Sequence, residues 1–472
     1  MPLSLIRKAR TFGIVATALS ATLLGAEHSH RLVLSRVAYV GNSFGSTGTF
    51  PAIFSDPTIT GIQGQVYLDH YIVEGDSPRA WRLWSLPITG LTTSFSSKSE
   101  GALMRSADGR FLTYMGYNGA LGSEGVSNSY DPGPGANLAG NTAPLYDRMV
   151  ALISADGAVG LTQEANAYSG DNPRAAITVD GTQFYMAGNS DSTIAKDGAG
   201  PGTTIGARYG TPGSTVSYQL GVYKATDRPD ESAKQHVKDN NFRAIGIFGG
   251  DLYVAKGSGG NGDDGVFQVH NGTGEGLPTG PANTLTPLFS APATDPVTGA
   301  VSPYTPFGFW FANPTTLYVA DEGYANLDAD GNVLPDALAG LEKWTLVDGA
   351  WKLAYTVQAG LHLTEAEQVQ GYPVPTTTTG IRNITGRVNE DGTVTIFAIT
   401  GQYSTISGGE PDPTKLVTVT DRLSAKTLPA EHHDRREHEL DRFETLLTSR
   451  PGEVFRGVAF APEASRDGHG KK

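Results

Sequence analysis

Four arginines occupy matched places in a repeated pattern, and of all the residues in this sequence their type and spacing point most directly to chemistry. They begin the runs Arg174-Ala175-Ala176-Ile177, Arg243-Ala244-Ile245-Gly246, Arg382-Asn383-Ile384-Thr385 and Arg456-Gly457-Val458-Ala459. Two further runs share the form but begin differently: Glu100-Gly101-Ala102-Leu103 and Phe307-Gly308-Phe309-Trp310. A guanidinium stays charged at ordinary pH and offers a planar fork of donors to carboxylate, phosphate or sulfate. If the runs are related by rotation about one axis, the arginines converge on one opening, and Glu100 and Phe307 complete the ring. That arrangement predicts a pocket for a small anion. The competing expectation is structural, with each arginine paired to a loop carboxylate and locking adjacent repeats together.

Other spacings carry similar pairs of expectations. Asn326-Leu327-Asp328-Ala329-Asp330-Gly331-Asn332 places side-chain oxygens at alternate positions before a glycine, like the first half of a calcium loop. The closing glutamate of an EF-hand is missing: Ala337 stands there, with Asp336 one residue short. A calcium site built from Asn326, Asp328, Asp330 and Asn332 is therefore set against an Asx-rich turn. Gly41-Asn42-Ser43-Phe44-Gly45 has the form of a nucleophile elbow, but a loop follows where a helix is required. Gly257-Ser258-Gly259-Gly260-Asn261-Gly262 has dinucleotide-loop spacing, yet Asp263 and Asp264 would repel a phosphate. His433 and His438 are too far apart to share a helix face, and Arg435 and Arg436 oppose a cation between them. All three read as turns or solvated segments.

The elements that must position the arginines are short strands. Gly109–Met115, Thr182–Ala187, Asp251–Ala255 and Thr316–Ala320 each follow a turn signal: Asp108-Gly109, Asp180-Gly181, Gly249-Gly250 or Asn313-Pro314. Another strand precedes each turn, so the unit is a hairpin, and it recurs about every 70 residues. The last unit stops after Val454–Pro462. The strands Leu32–Val40 and Gln65–Val73 have no leading strand of their own. Joining these ends closes a ring and removes free sheet edges. The expected fold is all-β: a single β-propeller over residues 27–462, with six blades. Seven is the count if Gln65–Val73 starts an extra sheet. Tyr130–Ala143 and Lys196–Ser214 read as loops, and Glu431–Ser449 as a capping helix.

Composition agrees with this reading. The chain has 60 glycines and 28 prolines, with only 18% charged residues, as expected for many turns and few long helices. A net charge of −13 leaves no electrostatic footprint for nucleic acid. Arg7, Lys8 and Arg10 precede an apolar stretch ending in Leu24-Gly25-Ala26, the order of a secretory signal over residues 1–26. A secreted or periplasmic protein follows, with no membrane span after signal removal. Without cysteine it must rely on packing, with bound ions such as calcium as the remaining aid. Residues 463–472 form a polar tail.

Leu317-Tyr318-Val319-Ala320-Asp321-Glu322-Gly323 resembles the blade motif of NHL-type and lactonase-like propellers. Phe455–Pro462 resembles the closing strand of secreted bacterial propellers of uncharacterised function. These resemblances imply a fold and transfer no activity. Three functions are carried forward: binding of a small anionic or glycan-like ligand, or a partner, at the channel mouth; an extracellular hydrolase or lyase of lactonase, phytase or polysaccharide-cleaving type; and a structural surface protein.

Overall fold

Antiparallel strands account for nearly all regular structure in the computed structural model. It describes residues 29–39, 63–74, 79–95, 97–123, 125–130, 145–190, 205–223, 239–257, 263–272, 274–281, 283–289, 304–405, 411–428 and 440–464. Helix is almost absent among them, and none is long and apolar enough to cross a membrane.

The chain begins with β1 (Ser29–Ala38), β2 (Gln63–Glu74) and β3 (Ala80–Ser94). Next come β4 (Met104–Arg105), β5 (Phe111–Tyr117), β6 (Arg148–Ser154) and β7 (Val159–Glu164). A second sheet holds β8 (Pro173–Ile177), β9 (Phe184–Gly188), β10 (Ala207–Gly210) and β11 (Tyr218–Gly221). A third holds β12 (Phe242–Phe248), β13 (Asp251–Lys256), β14 (Gly265–His270) and β15 (Thr284–Pro287). The fourth contains β16 (Pro306–Asn313), β17 (Thr316–Asp321), β18 (Gly340–Val347) and β19 (Ala350–Val357). The fifth contains β20 (Ala366–Glu367), β21 (Thr376–Val388), β22 (Thr393–Tyr403), β23 (Lys415–Arg422) and β24 (Glu444–Thr448). Finally β25 (Glu453–Phe460) returns to the first sheet and pairs antiparallel with β1, from Leu32↔Phe460 to Ala38↔Glu453.

The arrangement is propeller-like: four sheets of blade type plus one eight-stranded sheet. The larger sheet is held together at its middle by a single pairing, Thr92 with Tyr117. The turn signals work through side-chain capping. Asp108, Asp180, Asn313 and Asp391 each accept the backbone N–H two residues on, which closes a tight turn at a hairpin.

Apolar clusters fill the gaps between sheets. Ala175, Phe242 and Phe267 join the second and third sheets; Tyr253, Phe309 and Trp344 join the third and fourth. Tyr318, Ile381 and Val417 join the fourth and fifth, and Leu34, Phe397 and Phe455 join the fifth to the first. Leu68, Leu112 and Ala459 fill the space within the eight-stranded sheet, whose β5–β6 part meets the second sheet through Met115, Tyr168 and Phe184.

Two sequence expectations are corrected. Glu444–Thr448, read as helix, is the outer strand β24, with Leu447 opposite Leu416 on β23. The leucine and phenylalanine spacing that suggested a helix instead lets Phe443 drop into an apolar cluster while the next residues pair. Lys196–Ser214, read as loop, contains β10, whose Arg208 is buried and bonded to Ser217. The export signal, the serine motif at 41–45, residues 258–262 of the glycine run and His432–His438 lie outside the described residues.

Candidate functional site

The matched positions fall on the innermost strands. Arg174 lies on β8, Arg243 on β12, Phe307 on β16, Arg382 on β21 and Arg456 on β25, while Glu100 precedes β4. All six are buried. Their strands touch directly. Ala102 N–H donates to Arg174 O at 3.3 Å, Arg174 Nη1 to Phe242 O at 3.0 Å, and Asn383 Nδ2 to Arg456 O at 2.7 Å. This contact explains why the second residue of the pattern is glycine at 308 and 457. A β-carbon on Gly308 would lie 2.6 Å from Arg382 O, and one on Gly457 would collide with the backbone nitrogen of Leu103.

The main counter-charge is Glu322, at the end of β17, rather than Glu100. Arg382 Nε donates to its Oε2 at 3.1 Å, and Lys98 Nζ stands 3.6 Å from Oε1. Burial alone would raise the pKa of Glu322, but Lys98, Arg243 and Arg382 outweigh it and hold the carboxyl down to about 2. Glu100 meets neutral donors: Tyr117 Oη at 2.7 Å, Thr93 Oγ1 at 2.7 Å, Ser94 N–H at 2.8 Å and Asn172 Nδ2 at 2.6 Å. These do not cancel its burial, and its pKa is raised.

Among the described residues Arg174 and Arg243 donate to neutral acceptors, and Arg382 meets Glu322 through Nε alone. Arg174 also donates to Asn241 Oδ1. Arg243 donates to Gly257 O at 2.6 Å and Ser99 Oγ at 2.5 Å, with its guanidinium 5.5 Å above the ring of Phe307. Arg456 Nη2 donates to Phe95 O at 2.6 Å. Burial, then the charge of Arg243, lowers the pKa of Arg174 to about 9. Among the described residues Arg382 donates only through Nε, so its two terminal nitrogens are left for another acceptor.

Three cations, Lys98, Arg243 and Arg382, thus act on the single carboxylate of Glu322. Sequence reasoning missed Glu322, Lys98 and Ser99. Glu322 stood in the quoted blade motif, and a charged residue directly after a strand that ends at the axis was the available signal.

The residues expected to hold calcium form a turn closed by their own hydrogen bonds. Asp328 Oδ1 accepts the N–H groups of Asp330 and Asn332, and Oδ2 accepts Asn332 Nδ2 at 2.9 Å. Asp328 N–H returns to Asn332 O, closing an Asx-rich turn, and Asn326 N–H bonds to Tyr324 O. No group of three or more His, Asp or Glu side chains that could hold a metal occurs among the described residues.

The sequence matches no family model and no curated protein. Similar solved structures include a hypothetical selenium-binding protein from Sulfolobus tokodaii, at 9% identity over 92% of this chain and 94% of that one, with a TM-score of 0.40. The hemagglutinin-neuraminidase ectodomain of parainfluenza virus 5 is similar at 10% identity, over 79% and 84%, with a TM-score of 0.38. An endo-arabinase from Bacteroides thetaiotaomicron is similar at 12% identity, over 61% and 91%, with a TM-score of 0.29.

Proposed function

We propose that this chain is an exported six-bladed propeller, closed by β25, whose axial arginine cluster binds a small anion such as a carboxylate, phosphate or sulfate. The six apolar clusters support the blade count, since each links one blade-sized group of strands to the next and the series returns to β1. On this count the eight-stranded sheet is two blades, β25-β1-β2-β3 and β4–β7, joined at one point. The amino-terminal stretch supports export.

The observation that carries the binding reading is the charge arrangement on the inner strands. Lys98, Arg243 and Arg382 act on one carboxylate, Glu322, and the terminal nitrogens of Arg382 have no acceptor among the described residues. A purely structural cluster would satisfy each guanidinium with its own carboxylate. Titration calorimetry with phosphate, sulfate and citrate tests the proposal. Saturable binding is expected for at least one, and Arg382→Gln should weaken it by roughly tenfold or more, the value of one charge-assisted hydrogen bond. Lys98→Ala should weaken it less, because that side chain is a third exposed. Absence of saturable binding to all three anions would overturn the reading.

A further inference from the structure

The residues from Leu440 to Phe443 cross the seam between the fourth and fifth sheets, and two of them fix the crossing. Asp441 N–H donates to Thr420 O on β23 at 2.8 Å, and Phe443 N–H donates to Ala359 O, just after β19, at 2.8 Å. The ring of Phe443 is buried in the apolar cluster that Tyr355 and Val357 of β19 share with Val417 of β23. The chain then runs into β24, which has little hold of its own. It pairs with β23 from Lys415↔Thr448 to Thr418↔Glu444, with a register shift between Leu416 and Val417. Its residues are exposed or half-buried. The attachment of this outer strand therefore depends on Asp441 and Phe443.

Asp441 is an awkward residue to seat there. Its backbone is left-handed, φ 63°, an uncommon state for a residue with a side chain. Its carboxyl is buried, and neither oxygen meets a donor among the described residues. The charged and titratable groups around it are Tyr318 on β17, Lys343 on β18, Tyr355 on β19, and Asp421 and Arg422 on β23. Both tyrosines donate to Asp421, and Lys343 Nζ lies 2.9 Å from the same carboxylate. Arg422 is exposed, where solvent screens its charge. What faces Asp441 is thus a second carboxyl. A protonated Asp441 donates to Asp421, whereas an ionised one sets two carboxylates side by side in a buried place.

We infer that the residues from Leu440 to Thr448 are a strap locked across this seam by the proton that Asp441 shares with Asp421, and that loss of the proton releases it. Burial, then Asp421, holds the carboxyl of Asp441 up to about 7, against an ordinary value of 3.8. The docked strap favours the neutral acid, and a released Asp441 ionises at its ordinary value. Docking is therefore tightest below about pH 4, weakens about tenfold per pH unit up to about 7, and then levels off. Release bares the outer edge of β23 from Lys415 to Thr418 and leaves β21 and β22 paired.

Hydrogen–deuterium exchange of the full chain at pH 5 and pH 7, corrected for the intrinsic pH dependence of exchange and read by mass spectrometry, tests this. The peptide covering Leu440 to Thr448 should lose about 100-fold in protection between the two, tenfold for each pH unit. Peptides from β21 and β22 should keep theirs. Asp441→Asn stays neutral, tolerates the left-handed backbone and offers Asp421 an amide donor at every pH. In that variant the strap should be equally protected at both pH values. Equal protection of the strap in the native chain would overturn the inference, and that comparison needs no variant to fold. The same loss in Asp441→Asn, or a loss shared equally by the strap, β21 and β22, would overturn it as well.

Discussion

Glu322 and Asp441 are both buried carboxyl groups that face cations between sheets, yet their charge states are driven in opposite directions. Around Glu322, Lys98, Arg243 and Arg382 converge on one carboxylate and hold its pKa down to about 2. Asp441 faces Asp421 instead. Asp421 already accepts Tyr318 Oη, Tyr355 Oη at 2.6 Å and Lys343 Nζ at 2.9 Å. Lys343 is spent as well, donating to Arg422 O at 2.7 Å and Tyr355 Oη at 3.0 Å. The oxygens of Asp441 find no donor among the described residues. Burial, then Asp421, pushes its pKa up to about 7. The difference lies in the local ratio of charges. Where carboxyl groups outnumber the lysine, a proton completes the balance and the cluster is closed. Where cations outnumber the carboxylate, an anion from solution would complete it, which is the binding proposed above.

The largest expected effect breaks the first of these clusters. Glu322→Gln leaves Arg243 and Arg382 buried without their counter-charge and should destabilise the protein by about 3–5 kcal/mol in urea denaturation. Saturating phosphate should recover part of that loss if the cluster takes up anions. Lys343→Met is the matching lesion at the second cluster, and phosphate should not rescue it. Equal rescue of both variants would erase the distinction.

A smaller effect concerns protons. Asp441 is held above its ordinary value of 3.8, so its stabilising contribution is complete below about pH 4 and is lost as pH rises through about 7. Asp441→Asn removes this dependence, and its stability relative to the native chain should rise between pH 4 and 7 and then level off. Asp321, raised to about 7 by burial and then by Asp336, adds a similar slope to both proteins, so only their difference isolates Asp441. A constant difference across that range would show that Asp441 ionises normally. The sign is opposite at Glu322, whose contribution is present above about pH 4.5 and lost as pH falls through about 2.

The ring positions could be read from sequence because the close-packed inner strands demand glycine at matched places, although Asn383 stands at that place in its own run. Gly308 and Gly457 are small because a neighbouring backbone occupies the space a β-carbon would need, and that requirement aligned the arginines in the sequence. Glu322 and Lys98 obey no such rule. Each comes from a single repeat, outside the shared pattern, and reaches the cluster only through the fold. The calcium-like loop reads two ways from sequence, since an Asx turn and a calcium loop both use oxygen-bearing side chains at alternate positions before a glycine. At Glu444–Thr448, apolar residues near helical spacing belonged to a pairing strand, and only its partner β23 reveals that.

The central claim is that the excess of cations around Glu322 receives an anion. The most direct measurement is a crystal structure of the protein soaked in selenate, with the anion located by anomalous scattering from selenium. The account predicts an anomalous peak whose oxygens lie ~2.7–3.2 Å from the terminal nitrogens of Arg382, with density missing in Arg382→Gln crystals treated in the same way. Ordered water alone on those nitrogens at saturating selenate would contradict it.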